Sequence, residues 1–177
     1  MGLGLSTLFP VGHFPRSILS KKGRLTLSLR YRNLKPEGWI EQMEFDVRVR
    51  SDDSSLPPES NLAGWGDNFI GCADRAGRSL ETQATMRGAI EKAGFVDVHE
   101  ILYKVPIGPW PKDKVLKEVG QLNYHHWGCG LEGYSMWFLT KFGVPSPWTK
   151  DQVEKYLAQT HRELQDPQIH SWGYASV

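Results

Sequence analysis

His125, His126, Cys129 and Glu132 crowd into eight residues of this chain. Imidazole and thiolate groups can hold zinc. Here the ligand spacing of a zinc site is not reproduced and a second Cys/His group is missing, so no metal is expected. A histidine near a substrate can also act as a general base, because its pKa lies close to neutrality. His125 is carried forward on that ground, against the commoner fate of a partly buried or surface histidine. The overlapping GCGLEG at 128–133 satisfies G-x-G-x-x-G literally. A nucleotide loop of that form follows a buried strand and opens a helix, whereas LNYHHW precedes it here. The glycines are therefore read as a helix–helix corner where two segments pack closely.

Trp110, Trp127, Tyr134, Trp137, Phe138 and Trp148 make the same region aromatic. Most such rings belong to a core, and one or two line a pocket for a flat or greasy ligand. Glu41, Glu44 and Asp46 offer carboxylates at a strand end, where α/β folds place ligands. Strict alternation puts Glu44 and Asp46 on the wetter face, where solvation accounts for them. The candidate substrate pocket is thus Glu41, Trp110, His125 and Trp137. No catalytic residue, cofactor-binding residue or metal ligand is identified.

These groups need elements to carry them. Leu25–Leu34 reads as a short helix or strand that runs into a Pro36–Gly38 turn. From Trp39, Met43, Phe45, Val47 and Val49 alternate with Glu44, Asp46, Arg48 and Arg50, the pattern of a strand with one buried face. Residues 51–60 are a polar loop, and 61–77 a glycine-containing helix. Ser79 is placed to cap a helix carrying Met86, Ile90 and Ala93, and Gly94 to stop it. Residues 96–105 form a second strand that Pro106 ends, and 106–113 a rigid connector. Two helices follow, one around Val115–Leu122 and one over 131–142. Thr149 and Gln152 have capping-box spacing for a last helix. Strand, helices, strand, helices is an α/β order. Two strands are too few for a stable sheet, so further strands or a partner must complete it.

The totals narrow the function. The chain's 177 residues suit one domain with a core. No apolar run reaches the ~20 residues of a membrane helix, so no membrane role is expected. Cys72 and Cys129 form no CxxC pair, which fits a reduced compartment, cytoplasmic or nuclear. No acid precedes Glu37, while residues 37–177 carry 14 basic against 20 acidic side chains. That negative body argues against nucleic-acid binding. The basic leader, residues 1–30, is expected to be poorly ordered, and mitochondrial targeting is a weaker reading of it.

LKPEGWIE at 34–41, AGFVDV at 93–98, PIGPWPKD at 106–113, KEVG at 117–120 and GLEGYS at 130–135, in that order, resemble one family. They are similar to the C-terminal half of the LaeA-like, S-adenosylmethionine-dependent methyltransferases of filamentous fungi. LKPEGWIE corresponds to the turn into the fifth strand, with Glu37 where the family usually has glycine. AGFVDV corresponds to the approach to the sixth strand, and the later motifs to a helical insertion on the substrate side. The resemblance implies the C-terminal part of a Rossmann-like class I methyltransferase sheet over residues 31–172, with the N-terminal cofactor half missing and 173–177 a tail. The family's glycine loop after strand one and acidic residue ending strand two are not found.

The resemblance implies S-adenosylmethionine chemistry on a small molecule, in secondary metabolism or its regulation. The expectation is a truncated enzyme that does not bind the cofactor alone. A non-catalytic partner protein, and a cofactor-independent methyltransferase-like cyclase, stand as alternatives. Open sheet edges imply a protein partner or self-association.

Overall fold

The computed structural model describes residues 21–177, with side chains from Leu27 onward. The first twenty residues of the basic leader lie outside the described part. From Lys21 the chain is helical: α1 (Lys21–Asn33) buries Leu27 against Met86, Ala89 and Ile90 of α3 (Thr82–Lys92). The turn after α1 closes through the Gly38 amide, which donates to the Lys35 carbonyl at 2.9 Å. Glu37 sits there at φ 65°, in the left-handed region that glycine occupies without strain.

The sheet has three strands, β1 (Glu44–Phe45), β2 (Leu102–Ile107) and β3 (Ser171–Ser176), in the order β1-β3-β2. β3 is antiparallel to both neighbours, so β1 and β2 run the same way. The two strands expected from sequence do not pair with each other. The segment set aside as a tail, 173–177, supplies most of the central strand between them. WGYAS carries little apolar alternation, and its strand character comes from ladders on both sides.

Three further expectations change. β2 includes Pro106, paired with Trp172, where a strand end was expected. An edge strand tolerates proline because one side of its backbone needs no partner. Residues 114–142 form one continuous helix, α4 (Lys114–Phe142), in place of two helices and a corner. Nothing lies within 4 Å of a β-carbon built at Gly128, Gly130 or Gly133, so these glycines serve no close packing among the described residues. Each costs about 1 kcal/mol in helix propensity. The helix persists because it is anchored at both ends: Gly120 lies against the Gly108 carbonyl, and Leu131, Phe138 and Leu139 are buried. The third change concerns the first strand. Asp46, expected on the wet face, is nearly buried and its carboxylate meets Arg50 at 2.6 Å. Met43 and Phe45, expected inside, are more than half exposed, at 57% and 54%. Cover on the apolar face begins only at Val47 and Val49, which join the main core.

That core lies among α2 (Trp65–Arg75), α4 and α5 (Lys150–Gln165). Trp65 stacks on Phe69, Phe69 on Tyr134, and Tyr156 on Trp65. The capping box of Thr149 and Gln152 starts α5. Glu163 ties α5 to the segment before α2, accepting the Asn61 and Leu62 amides at 3.1 and 2.9 Å. Ser79 stands outside α3, its hydroxyl accepting the Glu81 amide at 3.1 Å, while the helix begins at Thr82. No helix among the described residues is long and apolar enough to cross a membrane.

Candidate functional site at the carboxyl edge of the sheet

Because β1 and β2 run the same way, their carboxyl ends lie on one edge, beside the start of β3. The register fixes this: Arg50 bridges Trp172, and Ile107 faces Ser171. Three connections converge there, residues 51–60 after β1, 108–113 after β2 and 166–170 before β3. Parallel strands direct their following loops to that edge, which is why α/β proteins build sites on it.

The convergence sets Asp53 against His170. Asp53 Oδ1 accepts the Ser51 hydroxyl at 2.7 Å and the Ser55 amide at 3.1 Å. Its Oδ2 lies 2.5 Å from His170 Nδ1. The His170 amide in turn donates to Ser55 Oγ at 2.8 Å, so both partners hang on the same short loop. Hydrogen bonds from Ser55, His170 and Ser51 hold the Asp53 carboxyl well below the usual carboxylate range. An ionised carboxylate only accepts, so Nδ1 is the His170 nitrogen that presents a proton to it, and Nε2 is the ring position left free of that contact.

Trp110 completes the corner. Its ring stacks on the imidazole at 5.2 Å between centroids and 28° between planes. Its Nε1 donates to the Ser171 carbonyl at 2.9 Å, which fixes the indole over the histidine. Lys104 lies beside this group, bonded to Asp52 at 2.6 Å and 4.2 Å from the Trp172 ring centroid. His170 remains 39% exposed at its side chain, so the pair is ordered yet open to a solute.

On the α3 side of the sheet, a groove of about 380 Å³ is lined by Asp46, Arg48, Arg50, Glu81, Leu102 and Tyr174 among others. Its arginines are already matched, Arg48 to Glu81 at 2.7 Å and Arg50 to Asp46 at 2.6 Å, and Glu100 accepts the Ser176 hydroxyl. Hydrogen bonding to Glu81 raises the Arg48 pKa above its ordinary value. The groove therefore offers less unspent chemistry than the edge.

Of the four residues taken as pocket candidates from sequence, only Trp110 reaches the edge. Glu41 is exposed in the segment before β1. His125 is exposed on α4, its Nε2 3.6 Å from Cys129 Sγ one turn on. Trp137 packs edge-on against Phe138 and Phe142, in the helical core. His125 and Trp137 are twelve residues apart on one helix, about 18 Å along its axis. Among the described residues, no group of three or more His, Cys, Asp and Glu is placed to hold a metal. Sequence reasoning missed Asp53 and His170, which are 117 residues apart and share no local pattern.

Comparison with known proteins places this geometry in context. The chain is 30% identical over 141 residues to methyltransferase pytC of Aspergillus terreus, covering 80% of this chain and 43% of that protein. It is 29% identical over 142 residues to the probable methyltransferase tdiE of Emericella nidulans, covering 80% and 44%. It is 33% identical over 147 residues to the secondary metabolism regulator LAE1 of Cochliobolus heterostrophus, covering 81% and 46%. The chain thus spans less than half the length of the curated relatives it matches. No family model matches the chain. No solved structure matches it either.

Such relatives imply S-adenosylmethionine, and neither the glycines of 128–133 nor Asp46 fits that group. A glycine loop must leave a strand and open a helix to hold it, with a free carboxylate for the ribose hydroxyls. The glycines of 128–133 lie in the middle of α4, where every backbone amide except the first turn's is spent within the helix. Asp46, the nearly buried carboxylate of the first strand, is held by Arg50.

Proposed function

We infer that this chain, a relative of the LaeA-like fungal methyltransferases over about 80% of its own length, supplies the substrate-side region of a small-molecule methyltransferase. In this reading β1, β2 and β3 are the fifth, sixth and final strands of a class I sheet. The observation that carries it is the order β1-β3-β2, in which the motif-bearing strands run the same way and send their loops to one edge. The α2–α4–α5 layer is then the substrate-side insertion, and Trp110 the link between it and the edge. The cofactor-binding region is contributed from outside the described residues, against the outer edge of β1. Trp39, Met43 and Phe45 are exposed around that edge, as such a contact requires. The name of the Cochliobolus relative supports a second reading, in which the chain regulates secondary metabolism.

Two measurements test this. Calorimetric titration of the purified chain with S-adenosylmethionine is expected to give only heats of dilution. One-site micromolar binding would overturn the division of labour. Deleting the gene in its host is expected to replace particular metabolites by forms lacking one methyl group. A broad change in metabolite levels without loss of methyl groups favours the regulatory reading, and an unchanged profile sinks both.

A further inference from the structure

We propose that the Asp53–His170 pair beneath Trp110 is a proton-accepting site for a protic ligand, with His170 Nε2 the base and an alcohol, phenol or amine the acid. The carboxylate is locked by Ser51 Oγ and the Ser55 amide through one oxygen and aims the other at Nδ1. The imidazole is fixed at its own backbone by Ser55 Oγ and on one face by Trp110. Every restraint acts on the Nδ1 side or on a ring face. The side chain as a whole keeps 39% of its surface exposed, at the carboxyl ends of the parallel strands.

The step is a single proton transfer. The ligand's O–H or N–H bond breaks, its electron pair stays on the ligand atom, and an N–H bond forms at Nε2. The resulting imidazolium stands beside the Asp53 carboxylate, which offsets its charge. Asp52 is engaged with Lys104, so Asp53 is the carboxylate that meets the ring. His170 touches the ligand, whereas Asp53 and Trp110 position it. A nucleophile relieved of its proton is what a methyl acceptor needs, and that use rests on the methyltransferase reading. The paired geometry does not.

The test therefore has two arms. In the purified chain, nitrogen-15 NMR of the imidazoles is expected to show His170 as the Nδ1–H tautomer, with Asp53→Asn weakening that preference. Diethyl pyrocarbonate is expected to modify His170 ahead of the more exposed His125 and His126, with Asp53→Asn slowing it several-fold. An Nε2–H tautomer, or reactivity that follows exposure alone, overturns the site. In the host, a His170→Gln allele is expected to cut methylated product at least tenfold while the folded protein level, read by thermal melting of the purified variant, holds. Wild-type product from that allele overturns the role as base. Methylation unaffected by deletion of the whole gene overturns the methyltransferase reading instead, and leaves the spectroscopic arm to decide the site.

Discussion

The helical layer and the sheet solve the same problem unequally. Between α2, α4 and α5, Phe69, Cys72 and Val153 are fully buried, and neighbouring aromatic rings meet within about 4 to 6 Å. On the sheet side, Trp39 is 74% exposed and Val96 82%, with Met43, Phe45, Ile101, Leu102 and Tyr103 at half exposure or more. A helix satisfies its own backbone and needs only one buried face. A sheet also leaves unpaired backbone groups along each edge, which must be covered or protected. The difference teaches that α2, α4 and α5 close a core among themselves, although Val115 and Leu122 of α4 stay exposed, whereas the three strands leave much of their apolar surface uncovered.

The largest effect that can break this comparison is in the helical core. Phe69→Ala is expected to cost about 3–5 kcal/mol in denaturant unfolding. Phe45→Lys in the sheet should change stability by no more than about 0.5 kcal/mol, while light scattering shows weaker self-association. Equal destabilisation by the two would erase the contrast, and a monomeric wild-type chain would show that the uncovered strands need no partner.

Next comes the polar tie within the helical half. Glu163→Ala strands the Asn61 and Leu62 amides and is expected to cost about 2–3 kcal/mol, seen as an earlier urea midpoint.

A smaller effect follows from pH. Burial pushes the Tyr156 hydroxyl up to about 12 from an ordinary 10.0. A raised folded-state value means the contribution is complete below pH 10 and is lost as pH rises through 12. Alkaline titration should therefore melt the helical layer in that window, and Tyr156→Phe should flatten the loss. An identical alkaline profile for the variant would refute the assignment.

The smallest prediction sharpens the sheet side. Glu37→Gly relieves the left-handed turn before β1 and is expected to add about 1 kcal/mol of stability, visible as a higher melting temperature.

Much of the helical half was legible in the residues. The capping box at Thr149 and Gln152 and the left-handed stop at Gly94 are local signals, and each is where it was read. The sheet was legible only in part. Glu44 and Asp46 were assigned by alternation to the wet side, but α3 covers that side, with Thr82 bonded to Glu44 at 3.1 Å. Three exposed glycines suggested a break in α4, yet anchors at both ends carry the helix through. Of the candidate site, Trp110 was visible and the Asp53–His170 pair was not, because a polar loop and a lone histidine acquire chemistry only when brought together.

By itself, the sequence determined the kinship with methyltransferases, the caps and stops of the helices, and the turn at Glu37. These depend on neighbours within a few residues, or on motifs kept in order. The tertiary structure alone decided that 171–176 lies between the other two strands, which face of β1 is covered, and where His170 meets an acid. Strand pairing and side-chain encounters across more than a hundred residues depend on chain closure and layer packing, and no local pattern encodes them.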